Sequence, residues 1–364
     1  MSSELLSLPK VLLMGLRKSG KSSIQKVVFE GMQPHDSVNL PTTVQPDKSR
    51  VHSNDFVNFE VWDFPGQSDP FDPNNTGPFD VEQLLENCGV IVFVMDCREL
   101  IEDSRARLID TVCAAYRYNP ELSVEVFIHK VDALSEDHQA DLLASLQRHV
   151  ELEVKQHLES AVPLRVNFNL TSIYDHSVFQ AFSLVVQKLI KPQSPYITEL
   201  LQMLNSNSNV DLSYLFLSRS KIFLAVDERS RAKLRTYDLC SDAIEVMMKM
   251  SQIYAPCTKE RQEKGHDTTT TTITTVTGAT DAAANGLENA HCVESVEAAV
   301  GAGANAVIKI SSDDYIYVKE LPNSLTVVLM AQKECFRNRT LIDHNISVFY
   351  KAACDIFNAV ATWP

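Results

Sequence analysis

Gly15-Leu16-Arg17-Lys18-Ser19-Gly20-Lys21-Ser22 spells GxxxxGK(S/T) directly after the apolar run Val11-Leu12-Leu13-Met14. A buried strand, a glycine-bearing turn and a helix opening near Lys21 are the setting in which this pattern holds phosphate. Glycine lets the backbone turn tightly enough for successive N–H groups to face phosphate oxygens, and the helix N-terminus adds partial positive charge. Lys21 is then placed for the β- and γ-phosphates, and the Ser22 hydroxyl for Mg²⁺.

A second constellation lies downstream. Val57, Phe59 and Val61 alternate with Asn58 and Glu60, the pattern of a half-buried strand, which runs into Asp63-Phe64-Pro65-Gly66-Gln67. An Asp at such a strand end can hold Mg²⁺, commonly through water. The Gly66 N–H can meet a γ-phosphate, and Gln67 can orient an attacking water.

A third set reads the base. The apolar run Val124 to Ile128 leads into His129-Lys130-Val131-Asp132, close to the N-K-x-D guanine reader. The Asp132 oxygens accept from guanine N1–H and the 2-amino group. Adenine offers neither donor, and a buried carboxylate left unpaired costs about 1–3 kcal/mol. The Lys130 stem is expected along the base plane. His129 departs from the pattern. Its ring nitrogen can partly replace the Asn amide that ties this loop to the phosphate loop, or it is an ordinary strand-end histidine. A further alternating strand, Leu164 to Leu170, delivers Thr171-Ser172-Ile173, a loop suited to meeting guanine O6 with a backbone amide.

With these residues in view, the chain resembles the Rag family of small GTPases, on the RagC/RagD branch (Gtr-type in fungi). The segments carrying the resemblance are LLMGLRKSGKSSIQKVVF from Leu12, FVNFEVWDFPGQ from Phe56, VFIHKVDALSEDH from Val126 and LTSIYDHSVFQAF from Leu170. Its His in HKVD is itself a feature of that family. The resemblance implies GTP/GDP and Mg²⁺ as ligands. It assigns Arg17, Lys18, Ser19, Gly20, Lys21, Ser22, Ser23, Thr43, Gly66, His129, Lys130, Asp132, Ser172 and Ile173 to the nucleotide. Ser22, Thr43 and Asp63 go to the metal, and Gln67 with Lys21 to catalysis. Thr42 is the immediate rival of Thr43 in the Pro-rich loop from Gly31 to Arg50. Arg17 stands where Ras-like enzymes carry a small Gly, and either obstructs an arginine finger or points to solvent.

The same resemblance implies an obligate heterodimer with a RagA/RagB-type GTPase and a roadblock-containing membrane scaffold complex. It further implies a GTPase-activating protein and amino-acid signalling to the TOR kinase complex at the lysosomal or vacuolar surface. Hydrolysis without a supplied arginine is expected to be slow, about 10⁻⁴ to 10⁻² s⁻¹. The competing class is a structural pseudoGTPase that binds nucleotide without useful turnover.

Composition fits these expectations. Hydrophobic residues make up 45% and charged residues 22%, ordinary for a globular protein, over 364 residues, a length that suggests two domains. A net charge of −14 argues against nucleic acid and against direct contact with an anionic membrane. The eight cysteines form no CxxC pair and read as reduced thiols of a cytoplasmic protein. Signal-peptide, myristoylation and CaaX patterns are not found, so no direct lipid anchor is expected, and membrane placement would be borrowed from partners.

The positioning elements follow. Strand and helix patterns alternate through residues 8–190, which predicts a doubly wound α/β sheet with nucleotide loops at the strand C-termini. Residues 1–190 are thus read as a P-loop, Ras-like GTPase domain. Lys-Pro-Gln-Ser-Pro at 191–195 breaks the pattern. Residues 191–256 and 306–364 are read as a second, α+β domain, of roadblock/longin type by the resemblance, serving dimerisation. Five consecutive threonines from Thr268 to Thr272 and many Ala and Gly mark 257–305 as a disordered low-complexity insertion, or a Thr-rich edge strand.

Overall fold

The computed structural model describes residues 8–52, 57–67, 71, 84–98, 101–158, 164–190, 193–228, 236–262, 272–275, 295–299 and 304–361. The chain divides into two compact units, Met1–Ile190 and Lys191–Pro364.

The first unit comprises β1 (Lys10–Met14), α1 (Lys21–Glu30), β2 (Asp47–His52), β3 (Asn58–Asp63), β4 (Cys88–Asp96), α2 (Ile101–Tyr118), β5 (Ser123–His129), α3 (Glu136–Leu158), β6 (Val166–Thr171) and α4 (Ser177–Leu189). Its sheet runs β2-β3-β1-β4-β5-β6. All pairings are parallel except β2 with β3. The central strands are apolar on both sides because helices cover both faces. Leu12, Ile91, Phe93 and Val126 pack with Leu108 and Val112 of α2 and Val150 of α3. On the other side, Phe182 of α4 meets Phe29 and Phe127 edge-to-face, with centroids 5.1 and 5.2 Å away.

Register decides the function of this sheet. Four strands finish in polar residues, β3 at Asp63 on one side of β1 and, on its other side, β4 at Asp96, β5 at His129 and β6 at Thr171. Asp96 pairs beside His129, and His129 beside Thr171. The apolar runs thus end in step, at one edge of the layer.

β2 departs from the expected loop between Gly31 and Arg50. Its sequence, Asp-Lys-Ser-Arg-Val-His, lacks apolar alternation. It forms because an edge strand needs only one partner, and β3 supplies it from Asp47↔Asp63 to His52↔Asn58.

The second unit comprises α5 (Ser194–Ser208), β7 (Leu212–Leu217), β8 (Phe223–Glu228), α6 (Thr236–Gln262), β9 (Thr272–Thr275), β10 (Ser295–Ala299), β11 (Asn305–Lys309), β12 (Asp314–Leu321), β13 (Leu325–Gln332) and α7 (Arg339–Ala361). These build an antiparallel sheet in the order β8-β7-β13-β12-β11-β10-β9. Helices α5 and α7 pack together, and α6 packs on β11 to β13. Asn209 caps α5 in the left-handed conformation, its N–H reaching the Asn205 carbonyl. Tyr214, Phe216 and Phe223 close around Tyr237 of α6, whose hydroxyl donates to the Lys221 carbonyl at 2.8 Å.

Helix α6 extends to Gln262, and β9 and β10 pair with each other inside the segment read as an unstructured insertion. β9 begins within the threonine run, where β-branched side chains suit a strand. The other residues of 257–305 lie largely outside the described ones. No helix of the described residues is long and apolar enough to cross a membrane.

Candidate functional site

The loops at the C-terminal edge of the first sheet enclose a cleft of about 490 Å³. The phosphate loop forms its floor. Gly20, with φ 107°, opens α1, and a Cβ there would lie 2.6 Å from His129 Cδ2. Only glycine allows the turn and that approach together. Lys21 is buried, and its ammonium donates to the carbonyls of Gly15 at 2.9 Å and Leu16 at 2.8 Å. Burial lowers its pKa to about 8, although the Asp63 carboxylate pulls the other way. It also donates to the Ser19 hydroxyl at 3.4 Å, and a buried cation whose hydrogen-bond partners are all neutral is a strong receptor for phosphate.

Three oxygen side chains converge beside Lys21. The Ser22 and Thr43 hydroxyls lie 2.8 Å apart, Ser22 donates to Asp63 Oδ2, and Thr43 donates to the same oxygen at 3.2 Å. Thr43, not Thr42, is therefore the member of this group. Thr42 instead accepts from Arg17 Nη2 at 3.3 Å. Burial pushes the Asp63 carboxyl up, against the opposing pull of Ser22 and Lys21. Its Oδ1 is buried and has no hydrogen-bond partner. Two hydroxyls and one carboxylate, with one of its oxygens orphaned, are the hard donor set that fits Mg²⁺.

Gly66 follows on the same loop. A Cβ on it would lie 2.2 Å from the Arg17 nitrogen, so this peptide rests on the phosphate loop in a way no other residue permits. Gln67 is exposed and does not line the cleft, nor do the buried side chains of Ser19, Asp63 and Ser172. Arg17, Lys18, Gly20, Lys21, Ser22, Ser23, Thr43, Gly66, His129, Lys130, Asp132 and Ile173 do.

On the base side, Asp132 accepts from the Ser172 hydroxyl at 2.6 Å, while the Ser172 N–H donates to Ser177 Oγ at 2.8 Å. This sets the carboxylate against the loop after β6. Asp132 is exposed here, so the penalty for mismatching a base applies once a base covers it. His129 is buried and pairs through Nδ1 with Thr171 Oγ1 at 3.0 Å, its ring edge lying on Gly20. Burial, reinforced by the Lys130 charge, lowers its pKa to about 4 and keeps it neutral at pH 7. It therefore links β6 to the phosphate loop partly by packing. Lys130, with φ 65°, donates to the Lys18 carbonyl at 2.7 Å and to Asp96 Oδ2 at 2.6 Å.

Sequence reasoning passed over Asp96, which holds Lys130, and the cleft residues Arg98, Tyr174, Val38 and Leu40. Asp96 did carry a signal. Like Asp63, it is a carboxylate closing an apolar run.

The strand order, phosphate loop and hydroxyl–carboxylate cluster define a P-loop nucleotide-binding domain. The family model for the Gtr1/RagA G protein conserved region matches residues 10–244. The chain is 38% identical over 358 residues to Ras-related GTP-binding protein C of Mus musculus, covering 98% of this chain and 79% of that protein. It is 35% identical over 349 residues to GTP-binding protein gtr2 of Schizosaccharomyces pombe, covering 96% and 98%. Against gtr1 of the same yeast the match is 31% over 188 residues, covering 51% of this chain and 58% of that protein. The chain belongs to the Rag/Gtr family of G proteins, on its RagC/RagD and Gtr2 side. That membership carries guanine-nucleotide binding and GTPase activity as a class.

Proposed function

We propose that this chain is a guanine-nucleotide switch with slow intrinsic hydrolysis, working as one half of a Rag heterodimer. One observation carries the switch reading. The loops that follow β1, β3 and β5 of a single sheet converge, and Lys21 for phosphate, Ser22 and Thr43 for a cation and Asp132 for a base line one cleft.

Within that reading, Lys21 and the amides from Arg17 to Ser23 bind the phosphates. Ser22, Thr43 and Asp63 hold Mg²⁺, which supplies charge neutralisation at the β- and γ-phosphates. Asp132 selects guanine, with Ser172 orienting it, and Ile173 lines the base pocket. Gly66 senses the terminal phosphate through its N–H, and Gln67 orients water once its loop closes over the cleft. An activating protein adds about 10³- to 10⁵-fold.

Two experiments test the site. GTP should displace a labelled guanine nucleotide far better than ATP, and Asp132→Asn should shift preference toward xanthine nucleotides. ATP competing equally would sink the reading. Single-turnover hydrolysis with an activating protein should be slowed by Gln67→Leu with binding intact. An unchanged rate would remove Gln67 from water positioning and favour the pseudoGTPase class.

The second unit, of roadblock/longin type in this reading, serves dimerisation with a RagA/RagB- or Gtr1-type GTPase. It leaves Met203, Val246, Ile253, Leu341 and Val348 exposed, an apolar allowance suited to a partner. Ile342 and Phe357, which the helical spacing of α7 also offers to a partner, are buried within the unit. Recruitment to a roadblock scaffold at the lysosomal or vacuolar surface, and signalling to the TOR complex, extend the same reading. Co-purification with fragments 1–190 and 191–364 separates the possibilities. A partner retained by the first fragment and lost by the second would overturn this assignment.

A further inference from the structure

We propose that Asp96 is a positioning residue of the nucleotide site: its carboxylate holds the Lys130 ammonium against the phosphate loop and so joins base reading to phosphate binding. The inference rests on the guanine-nucleotide reading above.

Asp96 closes β4 after six apolar residues, Val90 to Met95, and is itself buried. A carboxylate there needs partners. It has them from two directions. Lys130 Nζ donates to Oδ2 at 2.6 Å. Arg98 donates to Oδ1 through its backbone N–H at 3.0 Å and through Nε at 3.2 Å. The Lys130 ammonium then reaches the Lys18 carbonyl at 2.7 Å. One cation thus connects three segments: the end of β4, the base-reading loop and the phosphate loop.

The same segment holds the base loop by its backbone. The Cys97 N–H donates to the His129 carbonyl at 3.0 Å, and its thiol to the Lys130 carbonyl at 3.2 Å. Lys130 occupies the left-handed region at φ 65°, which a non-glycine residue keeps only when its surroundings hold it there. Both Lys130 and Arg98 line the cleft. Asp96 is therefore the anion that aims a nucleotide-facing cation without facing the nucleotide itself. Freed from Asp96, Lys130 can swing to solvent, and the base loop loses its tie to the phosphate loop. No contact to a terminal phosphate is touched, so diphosphate and triphosphate should be affected alike.

The test is release of fluorescent GDP and of a fluorescent non-hydrolysable GTP analogue from the full chain. Asp96→Asn keeps an acceptor oxygen and should speed release of both by about tenfold. Asp96→Ala should reach about a hundredfold, the range expected for hydrogen bonds to charged groups. Lys130→Met should have a similar effect, and combining it with Asp96→Asn should add little. Non-multiplicative effects would show that Asp96 acts through Lys130, which a merely structural role would not produce. Should Asp96→Ala fail to fold, the near-isosteric Asn variant and its combination with Lys130→Met decide the question. Release rates within about twofold of the unaltered chain, fully multiplicative effects, or a change confined to the triphosphate would each overturn the inference. An unaltered chain that binds no guanine nucleotide would overturn the site reading and this inference together. Normal binding with unaffected Asp96 variants overturns this inference alone.

Discussion

The two units bury different chemistry. Among the described residues, every buried Lys, Asp, Glu and His lies in the first unit: Lys21, Asp63, Asp96, Glu125 and His129. The buried polar side chains of the second unit are hydroxyls and one amide, such as Asn205, Ser213, Ser218 and Thr326. Burying charge is expensive unless partners or ligands offset it. Four of the five charged or titratable groups of the first unit stand at the nucleotide edge. The exception, Glu125, is held by Lys188, Asn167 and Asn169. The first unit is thus organised to receive a charged ligand, and the second to pack.

Breaking this contrast at its strongest point means Lys21→Met. Nucleotide affinity should fall by about 3–5 kcal/mol, the cost of removing one partner of a buried ion pair. Thermal stability without nucleotide should stay level or rise, since a buried charge is lost. Titration calorimetry and thermal melts check the two halves.

In the second unit the opposite pattern is expected. Phe216→Ala opens the aromatic cluster and should destabilise by about 3–5 kcal/mol. The affinity of the folded protein for nucleotide should be unchanged. A parallel loss of nucleotide binding would contradict the separation.

Acid should distinguish the units next. Unfolded His129 takes up a proton near pH 6.5, whereas the buried ring does so only near 4. The unfolded state therefore binds more protons in that window, and stability falls as pH drops from about 6.5 to 4. The loss approaches about 3 kcal/mol at its limit. Hydrogen exchange should show it in the first sheet, and His129→Asn should flatten the slope. Equal slopes in both sheets would count against His129 as the source.

The smallest effect belongs to the surface of the second unit. Glu245 is paired with Lys221 and Lys249, which hold its pKa near about 2. It is exposed enough for solvent to screen these pairs. Lys249→Ala should change denaturant stability by less than about 0.5 kcal/mol.

What the sequence made legible was whatever local chemistry announces. The phosphate loop, Asp63, HKVD and the apolar strands appear where their residue types and spacing place them. β2 was hidden because its stability comes from pairing with β3 rather than from its own pattern. Thr43 and Thr42 are chemically alike, and only the fold separates them, one toward Ser22 and one toward Arg17. Asp96 closes an apolar run as Asp63 does, but its role was not legible, because its partners lie 34 and 2 positions away with no motif joining them. Ile342 and Phe357 show the converse. Helical spacing marks an apolar face but leaves open whether the unit or a partner covers it.

Trp62 carries one more consequence. Its indole lies beneath the ammonium of Lys48, 3.8 Å from the ring centroid, with that of Lys10 at 5.0 Å. It directly precedes Asp63, while Lys48 belongs to the neighbouring strand β2. Sliding β2 along β3 would draw the quenching cation off the ring. The chain's other tryptophan, Trp363, lies outside the described residues. With Trp363 replaced by Phe, the colour and yield of Trp62 emission would report any shift of β2 against β3 as nucleotide is exchanged.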